Sequence, residues 1–110
     1  SAQASTSSGS ALFALGELHV DVASRQVRLA GKEVHLTPPE FRLLTTLVKH
    51  AGKVVTHRQL LKEVWGPDSV HETQYLRVYM AALRQKIEPD SSRPRYLQTE
   101  PGVGYRLSGE

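Results

Sequence analysis

The sequence of 110 residues contains no cysteine, and aromatic residues make up only 6% of it. The absence of cysteine excludes disulfide bonds and thiolate metal sites, and it suits the reducing environment of the cytoplasm. No apolar run approaches the ~20 residues of a membrane-spanning helix, so no membrane segment is expected. A large excess of one charge is also absent, because the net charge is +3. This value favours a polyanionic partner only weakly, and the placement of the charges has to decide the question.

The first eleven residues, SAQASTSSGSA, are small and uncharged. Such a segment buries too little apolar area to offset its ordering entropy, so residues 1–11 are expected to be a disordered linker or an expression remnant. From Leu12 to Leu36 apolar and polar residues alternate, as in the segment LHVDV, which predicts three or four short antiparallel strands. One folded domain is therefore predicted over residues 12–108.

Two helix starts follow the strands. The segment Thr37-Pro38-Pro39-Glu40 predicts a capping box with proline at the first helical position, and apolar residues continue at helical spacing until Gly52. Those apolar residues are Phe41, Leu44, Leu47 and Val48. A second capping box, Thr56-His57-Arg58-Gln59, begins a short helix that is predicted to end at Gly66-Pro67.

A longer helix is predicted from Gln74 to Glu88, over QYLRVYMAALRQKIE. Its inner stripe consists of Leu76, Met80, Leu83 and Ile87. The opposite side carries Gln74, Val78, Ala81 and Gln85, with Tyr75 and Ala82 beside them and Arg77 and Arg84 on the flank. An ordinary solvated helix would carry Glu and Lys there, whereas these small residues let the backbone approach a partner closely. This geometry suits a DNA major groove, which is about 12 Å wide. A helix buried on both sides, or packed against a partner protein, is the alternative interpretation.

A hairpin is predicted from Arg95 to Leu107, because RYLQTEPGVGYRL places a glycine-containing turn between two strand-like segments. The order is therefore strands, helix, short helix, long helix and hairpin, which is the order of a winged helix-turn-helix. The predicted fold class is α+β, with a small N-terminal antiparallel sheet, three helices and a C-terminal β-hairpin wing.

Four segments together resemble a known family. LTPPEFRLL, HRQLLKEVWG, YLRVYMAALRQKIE and PRYLQTEPGVGYRL are similar to the effector domain of OmpR/PhoB-type bacterial response regulators, from Leu12 to Leu107. Within this family, the sequence is most similar to that of members that regulate a potassium-transport operon. The segments that carry this similarity are HLTPPEFRLL, RQLLKEVWGP and YLRVYMAALRQK. The resemblance implies sequence-specific binding of double-stranded DNA without a cofactor, as the output domain of a two-component system. It also implies head-to-tail dimers on direct repeats and control by phosphorylation of a receiver domain, which this chain is expected to lack.

The resemblance assigns base or phosphate contacts to five positions of the long helix. These are Gln74, Tyr79, Ala81, Ala82 and Arg84. Several family members have basic residues at the first, third and fourth of these positions, but here only Arg84 keeps a charge. Ala and Val methyl groups can contact thymine methyls, and Gln74 or Gln85 can pair with adenine. The sequence therefore favours an A·T-rich half-site.

Further contact positions are implied outside the long helix. The phosphate or wing candidates are Arg58, Trp65, Arg93, Arg95, Thr99, Gly104, Tyr105 and Arg106. Pro101 occupies the wing position where the family often has a basic residue, which leaves Arg106 as the nearest basic side chain. A core role is the alternative for Trp65 and Tyr105. In the loop before the long helix, Asp68, His71 and Glu72 are candidates for contact with RNA polymerase, and a simple connector is the alternative.

Catalysis and metal binding are not expected. The five histidines are separated, with His19 and His35 on predicted strands, His50 at a helix end, His57 in a cap and His71 in a loop. None of them forms an i, i+4 zinc motif. A glycine-rich phosphate loop, a GxSxG motif and a cysteine nucleophile are all lacking. The alternative function is a winged-helix module that binds protein through Val78, Ala81 and Ala82, while the lack of an aromatic stacking platform disfavours RNA.

Overall fold

The computed structural model describes residues 12–108, in which seven strands and three α-helices are found. The elements are β1 (Leu12–Leu15), β2 (Leu18–Asp21), β3 (Gln26–Leu29), β4 (Lys32–Val34), α1 (Pro38–Lys49), β5 (Val54–Thr56), α2 (His57–Trp65), α3 (Thr73–Ile87), β6 (Leu97–Glu100) and β7 (Gly104–Leu107). A 3-10 turn, Pro67–Ser69, lies between α2 and α3. The linker predicted over residues 1–11 lies outside the described residues. Within the described part, no helix has the length and apolar character needed to cross a bilayer.

The N-terminal sheet is an antiparallel meander in the order β1-β2-β3-β4, so the predicted strands are confirmed. Leu18, Val20 and Val27 point into the core and are at most 2% exposed. A two-residue turn connects β3 to β4, and both of its residues have positive φ angles, as a tight hairpin turn requires. The prediction for His35 was wrong, because β4 ends at Val34 and His35 lies just beyond it.

The start of α1 agrees with its sequence signal. The helix begins at Pro38, and Glu40 Oε1 accepts a hydrogen bond from the Thr37 amide at 2.9 Å. The predicted end at Gly52 was too late, because α1 ends at Lys49. The chain turns there because the following amides donate back to the Leu47 and Val48 carbonyls.

The start of α2 forms its cap in a different way from the predicted box. The Thr56 hydroxyl accepts from the Gln59 amide at 3.1 Å. The Gln59 side chain donates to Glu63 Oε2 at 3.2 Å, so it extends along the helix. The predicted helix end is confirmed, because α2 stops at Trp65 and Gly66 is its C-cap.

The second sheet contains a strand that the sequence did not reveal. Its order is β5-β7-β6, so the predicted C-terminal hairpin pairs with the short strand β5 along β7. Gly104 makes this pairing possible, because a Cβ atom at this position would lie 1.9 Å from the Val55 carbonyl oxygen. The wing is thereby attached to the segment that leads directly into α2.

The core lies where the three helices meet the inner faces of the two sheets. The inner stripe predicted for α3 is confirmed, since its residues are at most 1% exposed. They are Leu76, Met80, Leu83 and Ile87. Tyr96 joins the C-terminal part to the N-terminal sheet, because its ring is 2% exposed and its hydroxyl oxygen accepts from the Glu17 amide at 3.2 Å.

Candidate nucleic-acid interface

The outer face of α3 is open over its whole length. Gln74, Val78, Ala81 and Gln85 are all exposed, and Val78 is 58% exposed. The interpretation of α3 as a helix buried on both sides within this domain was therefore wrong. This face carries no acidic residue, and the two residues at its centre, Val78 and Ala81, are smaller than leucine. It can approach a polyanion closely, because neither bulk nor negative charge opposes the contact.

An aromatic cluster, Trp65, Tyr75 and Tyr79, joins the end of α2 to the first turns of α3. The three ring centroids are 5.2 to 5.4 Å apart in every pair. Trp65 and Tyr79 also pack against the core, whereas Tyr75 is 48% exposed. The structure thus supports an anchoring role for Trp65, and Tyr75 is the member of the cluster that faces outward beside Val78.

The side chain of Arg84 extends from α3 to the wing. Its Nε and Nη2 atoms donate to the Leu97 carbonyl oxygen at 3.2 and 2.7 Å. Nη2 also donates to Thr99 Oγ1 at 2.6 Å, and the guanidinium carbon lies 5.6 Å from the Tyr105 ring centroid. The sequence predicted that Arg84 lies on the flank of α3, from its angular position on the helix. In the folded domain the edge of β6 packs against that flank, so Arg84 contacts the wing.

Glu88 caps the wing from the end of the same helix. Its side chain is buried, and its two carboxylate oxygens accept hydrogen bonds from the amides of Arg95, Tyr96 and Leu97 at 2.7 to 3.2 Å. Sequence reasoning missed this residue. The available signal was an acidic side chain at the C-terminal end of a helix, where the dipole disfavours negative charge unless donors surround it.

The wing presents an uncharged tip. Pro101, Gly102 and Val103 are exposed, and Val103 is 50% exposed. Arg106 is half-buried and forms an ion pair with Glu100 at 2.8 Å, which holds its charge on the strand behind the tip. Of the other wing candidates, Thr99 is exposed, whereas Gly104 and Tyr105 are buried. The core interpretation of Tyr105 agrees with its position, because its ring packs edge-on against His57 at 5.4 Å.

The remaining predicted contact residues lie on α2, on α3 and on the loops before and after α3. Arg58, Arg77, Arg93 and Arg95 are exposed. Arg77 makes no ion pair with any other residue in the part of the chain that the structure describes. The three polymerase candidates, Asp68, His71 and Glu72, are exposed on the loop between α2 and α3. Among residues 12–108, no group of three or more His, Cys, Asp or Glu side chains is arranged to hold a metal ion.

One half-buried ion pair holds α3 from its other flank. Lys86 Nζ donates to Glu40 Oε1 at 2.7 Å, and Glu40 is 4% exposed. Burial raises the pKa of this carboxyl group, but hydrogen bonds from Lys86 and Thr37 outweigh it, so the pKa of Glu40 lies below its ordinary value. The helix α3 is therefore held from both sides, by α1 through Glu40 and by the wing through Arg84.

Residues 31–107 match the protein family described as transcriptional regulatory protein, C terminal. The chain is 53% identical over 96 residues to the KDP operon transcriptional regulatory protein KdpE of Escherichia coli (strain K12), covering 87% of this chain and 43% of that protein. It is 54% identical over 88 residues to the transcriptional regulatory protein KdpE of Mycobacterium tuberculosis (strain ATCC 25618 / H37Rv), covering 80% and 39%. The chain thus spans less than half the length of these curated relatives.

Solved structures of two relatives are among those similar to this domain. The response regulator DrrB of Thermotoga maritima, an OmpR/PhoB homologue, superimposes with a TM-score of 0.79 at 39% identity, over 90% of this chain and 45% of that one. The DNA-binding domain of Klebsiella pneumoniae RstA, solved in complex with the RstA box, gives a TM-score of 0.81 at 28% identity, over 90% of this chain and 98% of that one.

Proposed function

This chain belongs to the family of C-terminal domains of OmpR/PhoB-type transcriptional regulators, and we propose that it binds specific DNA sequences by inserting α3 into the major groove. The open, uncharged outer face of α3 carries this proposal. The helix has 15 residues and therefore a length of about 22 Å at ~1.5 Å per residue, enough to follow the groove across several base pairs. It is a regulator domain and acts as a binding module rather than an enzyme.

The chemistry of that face favours A·T base pairs. Val78 and Ala81 offer methyl groups that suit the thymine methyl group. Gln74 and Gln85 carry amides that can donate to and accept from adenine in two parallel hydrogen bonds. The arginine side chains that recognise guanine in other proteins are missing from this face. Tyr75 and Tyr79 lie at the edge of the same surface and can contact the sugar-phosphate backbone through their hydroxyl groups.

Phosphate contacts are proposed for the exposed cations around α3. Arg58, Arg77, Arg93 and Arg95 are the candidates, together with the indole donor of Trp65. Contacts of this kind fix the orientation of a domain on the duplex without recognising its sequence. The wing would follow the minor groove with its tip, Pro101 to Val103, and with Thr99. Because the Arg106 charge is paired with Glu100, the tip would contact the groove by shape rather than by charge.

The wider role follows the relatives. The relative from Escherichia coli is named as the regulator of the KDP operon. We infer that this domain likewise binds upstream of an operon of potassium-transport genes. The domain would act in the cytoplasm and bind direct repeats as a head-to-tail dimer. The exposed loop residues Asp68, His71 and Glu72 are the proposed contacts with RNA polymerase.

Binding selection from random duplexes, followed by footprinting and a salt titration, tests the proposal. We expect an A·T-rich half-site in direct repeats. With three or four phosphate contacts, log affinity should fall against log salt with a slope of about −3. A G·C-rich consensus would contradict the base assignment, and an absence of duplex binding at low salt would contradict the function. In the second case, the exposed Val78 and Ala81 would point to the alternative, a protein partner.

A further inference from the structure

We propose that Arg84 is a positioning residue, which holds the wing at a fixed angle to α3. In this role its side chain binds the wing and contacts neither a base nor a phosphate. This inference rests on the proposed DNA binding, because the angle between helix and wing decides whether both can enter adjacent grooves. It departs from the family resemblance, which places Arg84 among the contact residues.

The geometry of Leu97 is the main observation. Both of its backbone groups are bound by side chains of α3, since its carbonyl oxygen accepts from Arg84 Nη2 at 2.7 Å and its amide donates to Glu88 Oε2 at 2.7 Å. Arg84 and Glu88 are one helical turn apart, so their side chains lie on the same face of α3. We call this arrangement the Leu97 clamp.

The clamp replaces a missing strand. The sheet order is β5-β7-β6, so β6 is an edge strand that pairs only with β7. In an extended strand the amide and the carbonyl of one residue point to the same side, and on an edge strand every second residue directs both groups away from the sheet, where no strand can pair with them. Arg84 and Glu88 supply the donor and the acceptor that a further strand would supply. The root of the wing is thereby bound to α3 rather than to solvent.

The donor count of Arg84 supports a positioning role. A guanidinium group has five N–H donors in a fixed planar fork. Three hydrogen bonds, two to the Leu97 carbonyl and one to Thr99 Oγ1, use the Nε and Nη2 side of that fork. The fork also lies against the Tyr105 ring. A lysine has the same charge but one nitrogen, so it cannot reproduce this set of contacts.

Arg77 offers a matched comparison. It lies seven positions before Arg84, two helical turns along the same flank of α3, and it is exposed. Arg77 should therefore behave as a free cation that contacts a phosphate. Replacing each arginine with Lys and with Ala separates the two roles, because a phosphate contact needs the charge whereas the clamp needs the fork.

The experiment measures affinity for the selected duplex across a salt series, together with hydroxyl-radical footprints. We expect Arg84→Lys and Arg84→Ala to weaken binding to a similar extent, by about tenfold or more, because hydrogen bonds to a charged group are lost in both. The salt slope should stay unchanged, and minor-groove protection opposite the wing should be lost while protection by α3 remains. Arg77→Lys should keep the salt slope, because the charge remains, whereas Arg77→Ala should reduce the magnitude of the slope by about one.

Several controls keep the inference open to refutation. Circular dichroism establishes that each variant is folded. Full affinity of Arg84→Lys would overturn the inference, as would a lower salt slope for Arg84→Ala with an intact wing footprint. If the wild-type domain binds no duplex, this result refutes the proposed DNA binding but not the Leu97 clamp. The clamp would still be tested by amide hydrogen exchange, which should accelerate in β6 and not in α3 of Arg84→Lys.

Discussion

The amide of Leu97 donates to the carboxylate of Glu88 at 2.7 Å, so the end of α3 and the first residue of β6 share one buried anion. The amides of Arg95 and Tyr96 donate to the same carboxylate. Three backbone donors take the place of a cation, and no salt bridge to Glu88 exists within the described residues. The helix and the wing therefore depend on each other for order.

Glu88→Gln is expected to destabilise the domain. The substitution replaces one acceptor oxygen with an NH₂ group that faces backbone amides, and a hydrogen bond to a charged group is worth about 1.5 to 3 kcal/mol. The free energy of unfolding in urea should fall by about 2 kcal/mol. Asp90→Asn, which changes an exposed carboxylate two residues later, is the control and should have a much smaller effect. Equal stability of Glu88→Gln and wild type would contradict the role of the buried anion.

The Glu40–Lys86 pair should make stability depend on pH in the acid range. The pKa of Glu40 is lower in the folded domain than in the unfolded chain, so its contribution is present above the unfolded value of 4.5 and is lost as the pH falls through the folded value. Glu40→Gln should therefore lower the melting temperature at pH 7, by the equivalent of about 1 to 2 kcal/mol. The difference from wild type should shrink below pH ~4.5. Glu33→Gln, on the exposed strand β4, is the control, and a constant difference across this range would contradict the expectation.

Gly104→Ala should disrupt the attachment of the wing to β5. The added Cβ atom would meet the Val55 carbonyl oxygen at 1.9 Å, and both atoms belong to paired strands that cannot separate without losing their ladder. We expect a loss of more than ~3 kcal/mol in the free energy of unfolding. Gly102→Ala is the matched change at the wing tip, where open space surrounds the position and only the positive φ angle of 76° is unfavourable. That variant should lose only about 1 to 2 kcal/mol. Similar losses in the two variants would show that close approach is not the cause.

Ala81→Leu tests the close approach of α3 to DNA. The outer face of the helix is exposed, and leucine is a good helix former, so the domain should keep its stability. The larger side chain should hold the backbone away from the groove and weaken binding by at least about tenfold, or ~1.4 kcal/mol. Ala14→Leu makes the same change on the exposed side of β1 and should bind like wild type. Unchanged affinity of the Ala81 variant would place the contact surface elsewhere.

Local patterns were sufficient to predict most of the fold. The alternation before Leu36, the capping box at Thr37 and the inner stripe of α3 each depend on neighbouring residues, and the structure confirms them. At Thr56 the structure confirms the cap but not the reciprocal bond of the predicted box. Strand β5 was missed because its three residues, Val54–Thr56, are too short to show a period. Its identity as a strand depends on pairing with β7, which lies 50 positions later in the chain.

The site was predicted less completely, for a related reason. A helical angle gives the direction of a side chain but not what lies there, so Arg84 resembled a free cation although β6 occupies its flank. Arg106 is similar, because its partner Glu100 becomes a neighbour only when the hairpin closes. The open face of α3 could be predicted because an amphipathic pattern specifies which side the core does not cover.

The contact between Tyr96 and Glu17 has a consequence for the order of folding. It joins residues 79 positions apart, whereas the helices α1, α2 and α3 contact one another at shorter separations along the chain. Closing a long loop costs entropy before any contact is gained, and contacts of high sequence separation slow the search for the native state. We therefore expect the three helices to acquire protection first in a pulse-labelled refolding reaction. The docking of the wing root onto the N-terminal sheet would complete the domain, so the capacity to bind DNA across two grooves would be the last property to develop.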